Sequence, residues 1–395
     1  MKIALIVQRY GMEINGGAEL HARYVAEMLG KRHKVEVLTT RALDYITWAN
    51  HYPAGTSLVN GLIVRRFGVK RKRDPIRFGK IQQNIFYHPH TAAEELLWLQ
   101  EEGPFCPSLI EYIKKNKDIF DFFVFFSYRY YQSYHGVYAV PEKSIVVPTA
   151  EHDGAVELSI FKEFFKSPRA IVYNSYEEKR LIHAMSGNYE VPAEIVGIGS
   201  MIPGWIRKER FKEKYAIDFP YIIYVGRIDE NKGCKELFEL FIRYSAETGK
   251  SIHLILIGTS VIEIPAHKNI HHFGFLPDED KFSALASSEL LIMPSFYESL
   301  SMVLLEAWAM EKPALANGRC NVLKGQCIRS NAGLYYTNYK EFKEALTCLL
   351  DNQDIRNTMG LNGAEFYKRN YSWEIIEQKY NRIFSMAAYN KYSTR

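Results

Sequence analysis

Two doubly wound, Rossmann-like α/β domains are what this sequence predicts, on three observations. Short, near-continuous apolar runs alternate with helical patterns, as do the strands of a parallel sheet covered on both faces. The alternation starts afresh at Tyr221-Ile222-Ile223-Tyr224-Val225. At 395 residues the chain also exceeds what one core comfortably holds.

In the first cycle the predicted strands are Ile3–Val7, Val35–Thr39, Leu62–Phe67, Phe122–Phe126, Ser144–Val147 and Ala170–Tyr173. Helical stretches lie between them at Ala18–Lys31, Pro107–Lys117 and Tyr176–Met185. The second cycle runs from strand Tyr221–Val225 through helix Lys235–Thr248, strand His253–Ile257 and helix Asp280–Ala286. Strand Leu290–Met293, helix Ser301–Met310, strand Ala314–Ala316 and helix Tyr339–Leu350 complete it. The pattern breaks near residues 200–218, giving domains 1–205 and 206–372. Ligands are expected beyond the strands' carboxyl ends, in a central cleft that the two domains face.

Composition narrows the class. A hydrophobic share of 47% and a charged share of 24% are ordinary for a soluble globular enzyme. No apolar run approaches a membrane span of roughly 18 residues. The apolar run at Met1–Val7 is too short for a signal peptide and reads as a buried first strand. Cys106, Cys234, Cys320, Cys327 and Cys348 form no C-x-x-C pair, so a reduced, cytoplasmic protein without a zinc site is expected. The net charge of +5 hides a cluster: residues 62–80 carry eight Lys or Arg against Asp74 alone, a local +7 that leaves −2 for the rest. That segment is a candidate contact for an anionic membrane surface or a phosphorylated acceptor, with a solvated loop as the equal alternative. No nucleic-acid-binding module accompanies it, so nucleic acid is not an expected partner.

The most informative segment is Pro294–Met310. It places Glu298 in a loop at a strand's C-terminal end and Glu306 on the following helix, just over two turns in. A carboxylate in so apolar a helix is costly to bury without partners. The loop also ends at a helix N-terminus, where free N–H groups and the dipole favour an anion. Two acids able to accept from sugar hydroxyls beside a phosphate site point to a nucleotide-sugar pocket. The bland alternative is a loop acid near a cap and a solvent-facing helix acid.

Other loops add to this. Gly226-Arg227-Ile228-Asp229-Glu230-Asn231-Lys232-Gly233 follows the second cycle's first strand. Arg227 and Lys232 could stabilise a leaving nucleoside diphosphate, and Gly226 and Gly233 permit close backbone approach. Asn15-Gly16-Gly17-Ala18-Glu19 follows the very first strand, with His21 on the next helix. It is no G-x-G-x-x-G, and Gly197-Ile198-Gly199 lacks the third glycine, so a dinucleotide site is not expected. In Glu151-His152-Asp153-Gly154 a His beside an Asp could bond sugar hydroxyls, move a proton, or be purely structural. Ser175 and Glu178 read as a capping box. Asp278-Glu279-Asp280 matches a metal-binding D-x-D, but its place at a helix start favours a dipole role.

Taken in order, these segments resemble the retaining glycosyltransferases of family 4, which have the GT-B fold. The match runs from Gly16-Gly17-Ala18-Glu19 through His152-Asp153, Asn174-Ser175, Gly226-Arg227 and Lys232-Gly233 to Glu298, Glu306-Ala307 and Lys312-Pro313. The resemblance implies that Arg227 and Lys232 neutralise the donor diphosphate and that Glu306 accepts from the ribose hydroxyls. By it, Glu298 contacts the transferred sugar, Gly226 and the backbone N–H groups of the Ser299-Leu300-Ser301 loop lie near the phosphates, and His152 lines the sugar site. Gly16 and Gly17 would approach the donor phosphates or the acceptor. It also implies a metal-independent, front-face mechanism with no covalent nucleophile and no cofactor. The segment 373–395 is expected to be a helix that crosses back onto the N-terminal domain. Where many members have Glu-Gly-Phe-Gly, this chain has Glu298-Ser299-Leu300-Ser301, whose side chains are expected to narrow the donor pocket. Residues 317–326 have no role assignable from sequence.

The expected activity is transfer of a hexose-type sugar from a nucleotide diphosphate sugar to a hydroxyl of a glycan or lipid-linked acceptor. Cell-surface polysaccharide or glycoconjugate synthesis on the inner face of the plasma membrane is the expected setting. A nucleotide-sugar epimerase of the same fold is the alternative, with a non-catalytic binding protein as a further rival. The sequence names neither the base, the sugar, the acceptor nor the oligomeric state.

Overall fold

The computed structural model describes residues 1–389; residues 390–395, the end of the segment expected to cross back, lie outside the described residues. The chain divides into two compact units: Met1–Ile198 together with the residues from Ile376 on, and Gly199–Ile375. The division falls at 198/199 rather than at 205/206. Trp373 explains the difference: its Nε1–H donates to Ser200 O at 3.1 Å, and its ring lies where a Cβ on Gly199 would stand, 2.9 Å away.

The first unit is built on an eight-stranded sheet. Its strands are β1 (Lys2–Ile6), β2 (Lys34–Thr40), β3 (Gly55–Val59), β4 (Leu62–Phe67), β5 (Phe122–Phe126), β6 (Ser144–Val147), β7 (Ala170–Tyr173) and β8 (Ala193–Ile195). Their order is β3-β4-β2-β1-β5-β6-β7-β8, parallel except for β3 against β4. Because β5, β6 and β7 are buried at every position, they read as unbroken apolar runs. Each large apolar side chain there contributes roughly 1.5–3 kcal/mol by leaving water. Strand β3, exposed along nearly its whole length, pairs as a hairpin with β4 and carries no such signal.

The second unit has β9 (Tyr221–Val225), β10 (His253–Ile257), β11 (Ile270–His272), β12 (Leu291–Met293), β13 (Ala314–Asn317) and β14 (Gly333–Tyr336). They form a parallel sheet in the order β11-β10-β9-β12-β13-β14. The order reverses between β9 and β12, so the crevice above their carboxyl ends is this unit's switch point.

The basic segment 62–80 is not a mobile loop. It comprises β4 and the start of helix Pro75–Tyr87, which Asp74 caps by accepting from Ile76 N and Arg77 N. Arg65 pairs with Glu36 at 2.7 Å, Arg73 with Glu102 at 2.9 Å, and both Arg71 and Arg77 with Glu101. Much of its charge is thus met internally, while Lys70, Lys72 and Lys80 stay exposed.

Helix Gly17–Gly30 buries His21 edge-on to Phe126 at 5.1 Å. Burial pushes this imidazole down to about 3, and its Nε2 has no hydrogen-bond partner among the described residues. Since its pKa in the fold lies below the unfolded value, the neutral ring's stabilisation is complete above pH ~6.5 and is lost as pH falls below it. Stability should therefore drop by up to about 1.4 kcal/mol per pH unit below 6.5. Melting curves between pH 7.5 and 4.5 should show the decline, and His21→Phe should flatten it.

Candidate functional site

The site takes shape in the second unit, where two loops leave the carboxyl ends of the neighbouring strands β9 and β12. The first loop is drawn tight by Asp229, whose side chain is buried. One of its oxygens accepts from the Lys232 backbone N–H at 2.7 Å and the other pairs with the Arg227 guanidinium. Tyr224 adds a brace, its hydroxyl donating to Arg227 O at 2.7 Å. Gly226 (φ 151°) and Gly233 (φ 71°) hold backbone conformations that L side chains rarely adopt. At Gly233 a Cβ would also stand 2.1 Å from Pro294 O, so glycine lets this loop close on the second one.

The second loop contributes Glu298. Its Oε1 accepts from Lys232 Nζ at 2.7 Å, and Lys232 Nζ also reaches Tyr297 O at 3.4 Å. The structure thereby joins Lys232 to Glu298 at the switch point, with Gly226 and Arg227 on the same loop as Lys232. The loop ends at helix Met302–Ala309, capped by Ser301, whose hydroxyl accepts from Leu304 N at 3.4 Å. The remaining N–H groups of that first turn have no acceptor within the helix and favour an anion.

Two expectations about this loop change. Its side chains do not all narrow a pocket: Leu300 and Ser301 are buried, and only Ser299 and Glu298 are half-exposed. Ser301 has φ 75°, a conformation glycine takes freely and serine holds at a cost of about 1–3 kcal/mol. Glu306 lies at the fifth residue of the helix, little more than one turn in rather than two. It is buried and meets Lys281, with Nζ 3.1–3.2 Å from its two oxygens. Burial pushes the Glu306 carboxyl up, and Lys281 offsets part of that. The solvent-facing alternative for Glu306 is therefore excluded.

The remaining candidates belong to the first unit. Gly16 is the N-cap residue and Gly17 the first residue of helix Gly17–Gly30, after the loop from β1. A Cβ on Gly16 would meet the Glu19 carboxylate at 2.3 Å, whereas one on Gly17 would enter open space. Glu19 is buried and braces that loop through Arg9 at 2.6 Å. His152 and Asp153 follow β6, but they form no dyad. The Asp153 carboxylate pairs with Arg129 at 2.6 Å, while the His152 side chain is 66% exposed with Glu157 3.7 Å away.

The Ser175–Glu178 capping box is only half made. Ser175 Oγ accepts from Glu178 N, but the Glu178 carboxylate turns to Ala150 N and Asn174 N, tying the loops after β6 and β7 together. In Asp278-Glu279-Asp280, Asp280 is buried between Arg210 and Lys214 at 2.8 and 2.6 Å, and Asp278 pairs with Lys281. Asp278 and Asp280 are thus each met by a cation of the chain.

Sequence reasoning missed Asp229, Lys281 and Asn317. Asn317, in the segment without an assigned role, donates from Nδ2 to Pro294 O at 2.9 Å and fixes the start of the second loop. Arg319 lies over the Phe296 ring of the same loop.

The chain has the GT-B fold, shared with solved glycosyltransferases. Residues 206–366 match the family model described as Glycosyl transferases group 1. Among curated proteins, the alpha-D-kanosaminyltransferase of Streptomyces kanamyceticus is 27% identical over 42% of this chain and 46% of its own. The capsular polysaccharide biosynthesis glycosyltransferase CapM of Staphylococcus aureus is 24% identical over 44% and 49%. The chain thus matches about half the length of these relatives. Among solved structures, sucrose-phosphate synthase of Thermosynechococcus elongatus superimposes with a TM-score of 0.72 at 16% identity, covering 97% of this chain and 99% of that one. Anabaena HepE, solved in complex with UDP-glucose, gives 0.68 at 14% identity over 98% and 99%.

Proposed function

We propose that this protein is a retaining glycosyltransferase that moves a hexose-type sugar from a nucleotide diphosphate sugar to a hydroxyl of a glycan or lipid-linked acceptor. The observation that carries the reading is the pairing of Lys232 with Glu298 at the β9/β12 switch point, with Arg227 on the same loop as Lys232. Arg227 and Lys232 stand where charge would grow on a departing diphosphate, and Glu298 is held by Lys232 at 2.7 Å. The helix start at Ser301 offers N–H groups for the phosphates, and Glu306 an acceptor for the ribose hydroxyls. HepE is a neighbour solved in complex with UDP-glucose, and CapM is a relative named for polysaccharide biosynthesis, which supports the donor class and the cell-surface setting.

In this reading the acceptor oxygen bonds to the anomeric carbon on the face from which the phosphate oxygen departs. The hydroxyl proton passes to that leaving phosphate oxygen. Arg227 and Lys232 meet the developing charge, so the step requires no metal ion and no cofactor. His152, in the loop after β6, is the first unit's candidate for a sugar contact, and Gly16 and Gly17 let a ligand approach the start of their helix. The enzyme works on the cytoplasmic face of the membrane. Among the described residues no helix is long and apolar enough to cross a bilayer, and Lys70, Lys72 and Lys80 are the exposed charges that would meet its anionic surface.

Gly17 offers a clean check. The chain leaves open space at its Cβ, so Gly17→Ala should fold with an unchanged melting temperature. If a ligand approaches there, turnover should fall at least tenfold; full activity would remove Gly17 from the site. The function itself is tested by following nucleotide release and sugar stereochemistry in EDTA, with and without a glycan acceptor. Acceptor-dependent release with retained anomeric configuration is expected. Inversion at a ring carbon without acceptor would establish the epimerase instead.

A further inference from the structure

Glu306 and Lys281 face each other from two helices, Met302–Ala309 and Asp278–Ser287. The Lys281 ammonium lies across the carboxylate, donating to Oε1 at 3.2 Å and standing 3.1 Å from Oε2. Oε2 is buried and, among the described residues, accepts no hydrogen bond. Such an unfilled acceptor calls for an explanation, and an arriving hydroxyl supplies one. Lys281 is itself held, with Asp278 at 3.1 Å from Nζ and the Phe282 ring centre 4.3 Å away. Burial pulls the ammonium down, but Glu306 and then Asp278 outweigh it, so Lys281 lies above its ordinary value and stays charged.

The other groups around Glu306 do not supply that charge. Strands β12 and β13, Leu291–Met293 and Ala314–Asn317, carry no titratable side chain. From helix Gln353–Tyr371, Tyr367 feels the Glu306 charge, but as a neutral phenol held above its ordinary value by burial. Asp278 adds a second negative charge, which favours the neutral acid. Without Lys281, a carboxylate this deep would take up a proton. A protonated carboxyl turns one oxygen into a donor, whereas an ionised one accepts through both.

We propose that Lys281 is a positioning residue of the donor site: its ammonium keeps Glu306 ionised, so that both carboxylate oxygens accept from the ribose 2′- and 3′-hydroxyls. The inference rests on the transferase reading and deepens it. Lys281 is the more exposed partner, its side chain at 18% against 5% for Glu306, so a small shift of its flexible stem admits the hydroxyls. Hydrogen bonds to the charged form are also the stronger ones.

Two measurements on the full chain test it. In Lys281→Met the folded-state pKa of Glu306 rises further above its unfolded value, so stability present at acidic pH is lost as pH rises. The melting temperature of this variant should fall relative to wild type between about pH 5.5 and pH 8.5, and adding Glu306→Gln should abolish the fall. Calorimetric titration of UDP, GDP and ADP and of their 2′-deoxy forms then reads the ribose contact. The wild type should bind one ribonucleotide about tenfold or more tightly than its 2′-deoxy form. Near pH 6, Lys281→Met should lose most of that preference and regain it as pH rises, a profile that loss of packing alone would not produce. Lys281→Arg, which keeps the charge, should fold and retain the preference. A preference unchanged in Lys281→Met at every pH, or melting curves parallel to wild type, would overturn the role of Lys281 and leave the donor site standing. Absence of nucleotide binding by the wild type would overturn the donor site and this role with it.

Discussion

Lys232→Ala should lower kcat/KM for the sugar donor by about 10²–10³-fold, the usual effect of removing one group that meets developing charge. The side chain spans the two loops of the switch point, reaching Glu298 at 2.7 Å and Tyr297 O at 3.4 Å. It is 30% exposed, so its ion pair with Glu298 adds at most about 1 kcal/mol to stability. A large kinetic loss with a nearly unchanged melting temperature is therefore the expected signature. Lys232→Arg should recover part of the activity, since it keeps the charge but not the point geometry. Steady-state kinetics with a melting curve on the same preparations decide it. A matched fall in stability and activity would make Lys232 a strut rather than a participant.

Glu178→Ala should be the most destabilising single change in the first unit. The carboxylate is buried and accepts from Ala150 N at 2.6 Å and from Asn174 N at 2.5 Å. Alanine would leave two buried N–H groups without acceptors, at about 1–3 kcal/mol each. With the cavity added, a loss of about 3–5 kcal/mol is expected, or roughly 10 °C in melting temperature for a unit of this size. Glu178→Gln, which keeps the volume and one good acceptor, should cost about half as much. Because Ala150 leads directly into Glu151-His152-Asp153, the alanine variant should also disorder the His152 loop. Faster hydrogen exchange over residues 149–155 would show it; a melting temperature within 2 °C of wild type would contradict the assignment.

Both cases mark where sequence suffices. Strands buried on both faces are unbroken apolar runs, so β1, β5, β6, β7, β9 and β10 were readable within a residue or two. The helices Pro75–Tyr87, Ala92–Glu102 and Gln353–Tyr371 were not, for reasons their environments explain. Pro75–Tyr87 buries only Ile85, and Gln353–Tyr371 buries only Gly360, Gly363 and Tyr371, leaving no apolar stripe to recognise. In the second of these, glycines permit contact: a Cβ on Gly360 would stand 2.1 Å from Glu311 O.

At the candidate site, Arg227, Lys232 and Glu298 drew attention in the sequence because they lie in loops at strand ends, where the ligands of such sheets are expected. Their supports were not. Asp229 looks like any loop acid until its two oxygens are seen to hold Arg227 and the Lys232 N–H. Lys281 is distant in sequence from Glu306, and only the packing of two helices joins them. The partners of His152 and Asp153 were equally hidden. Neighbours in sequence at a strand end point apart, and Asp153 is taken by Arg129, which no local pattern foretells.

The loops after β9 and β12 are proposed to hold a nucleotide diphosphate sugar without a metal. Calorimetric titration of UDP, GDP, ADP and dTDP into the wild type, Arg227→Ala and Lys232→Ala, all in EDTA, tests it most directly. One nucleotide should bind the wild type, and each variant should bind it at least tenfold more weakly. Absence of binding by all four, or binding unaltered in both variants, would contradict the assignment.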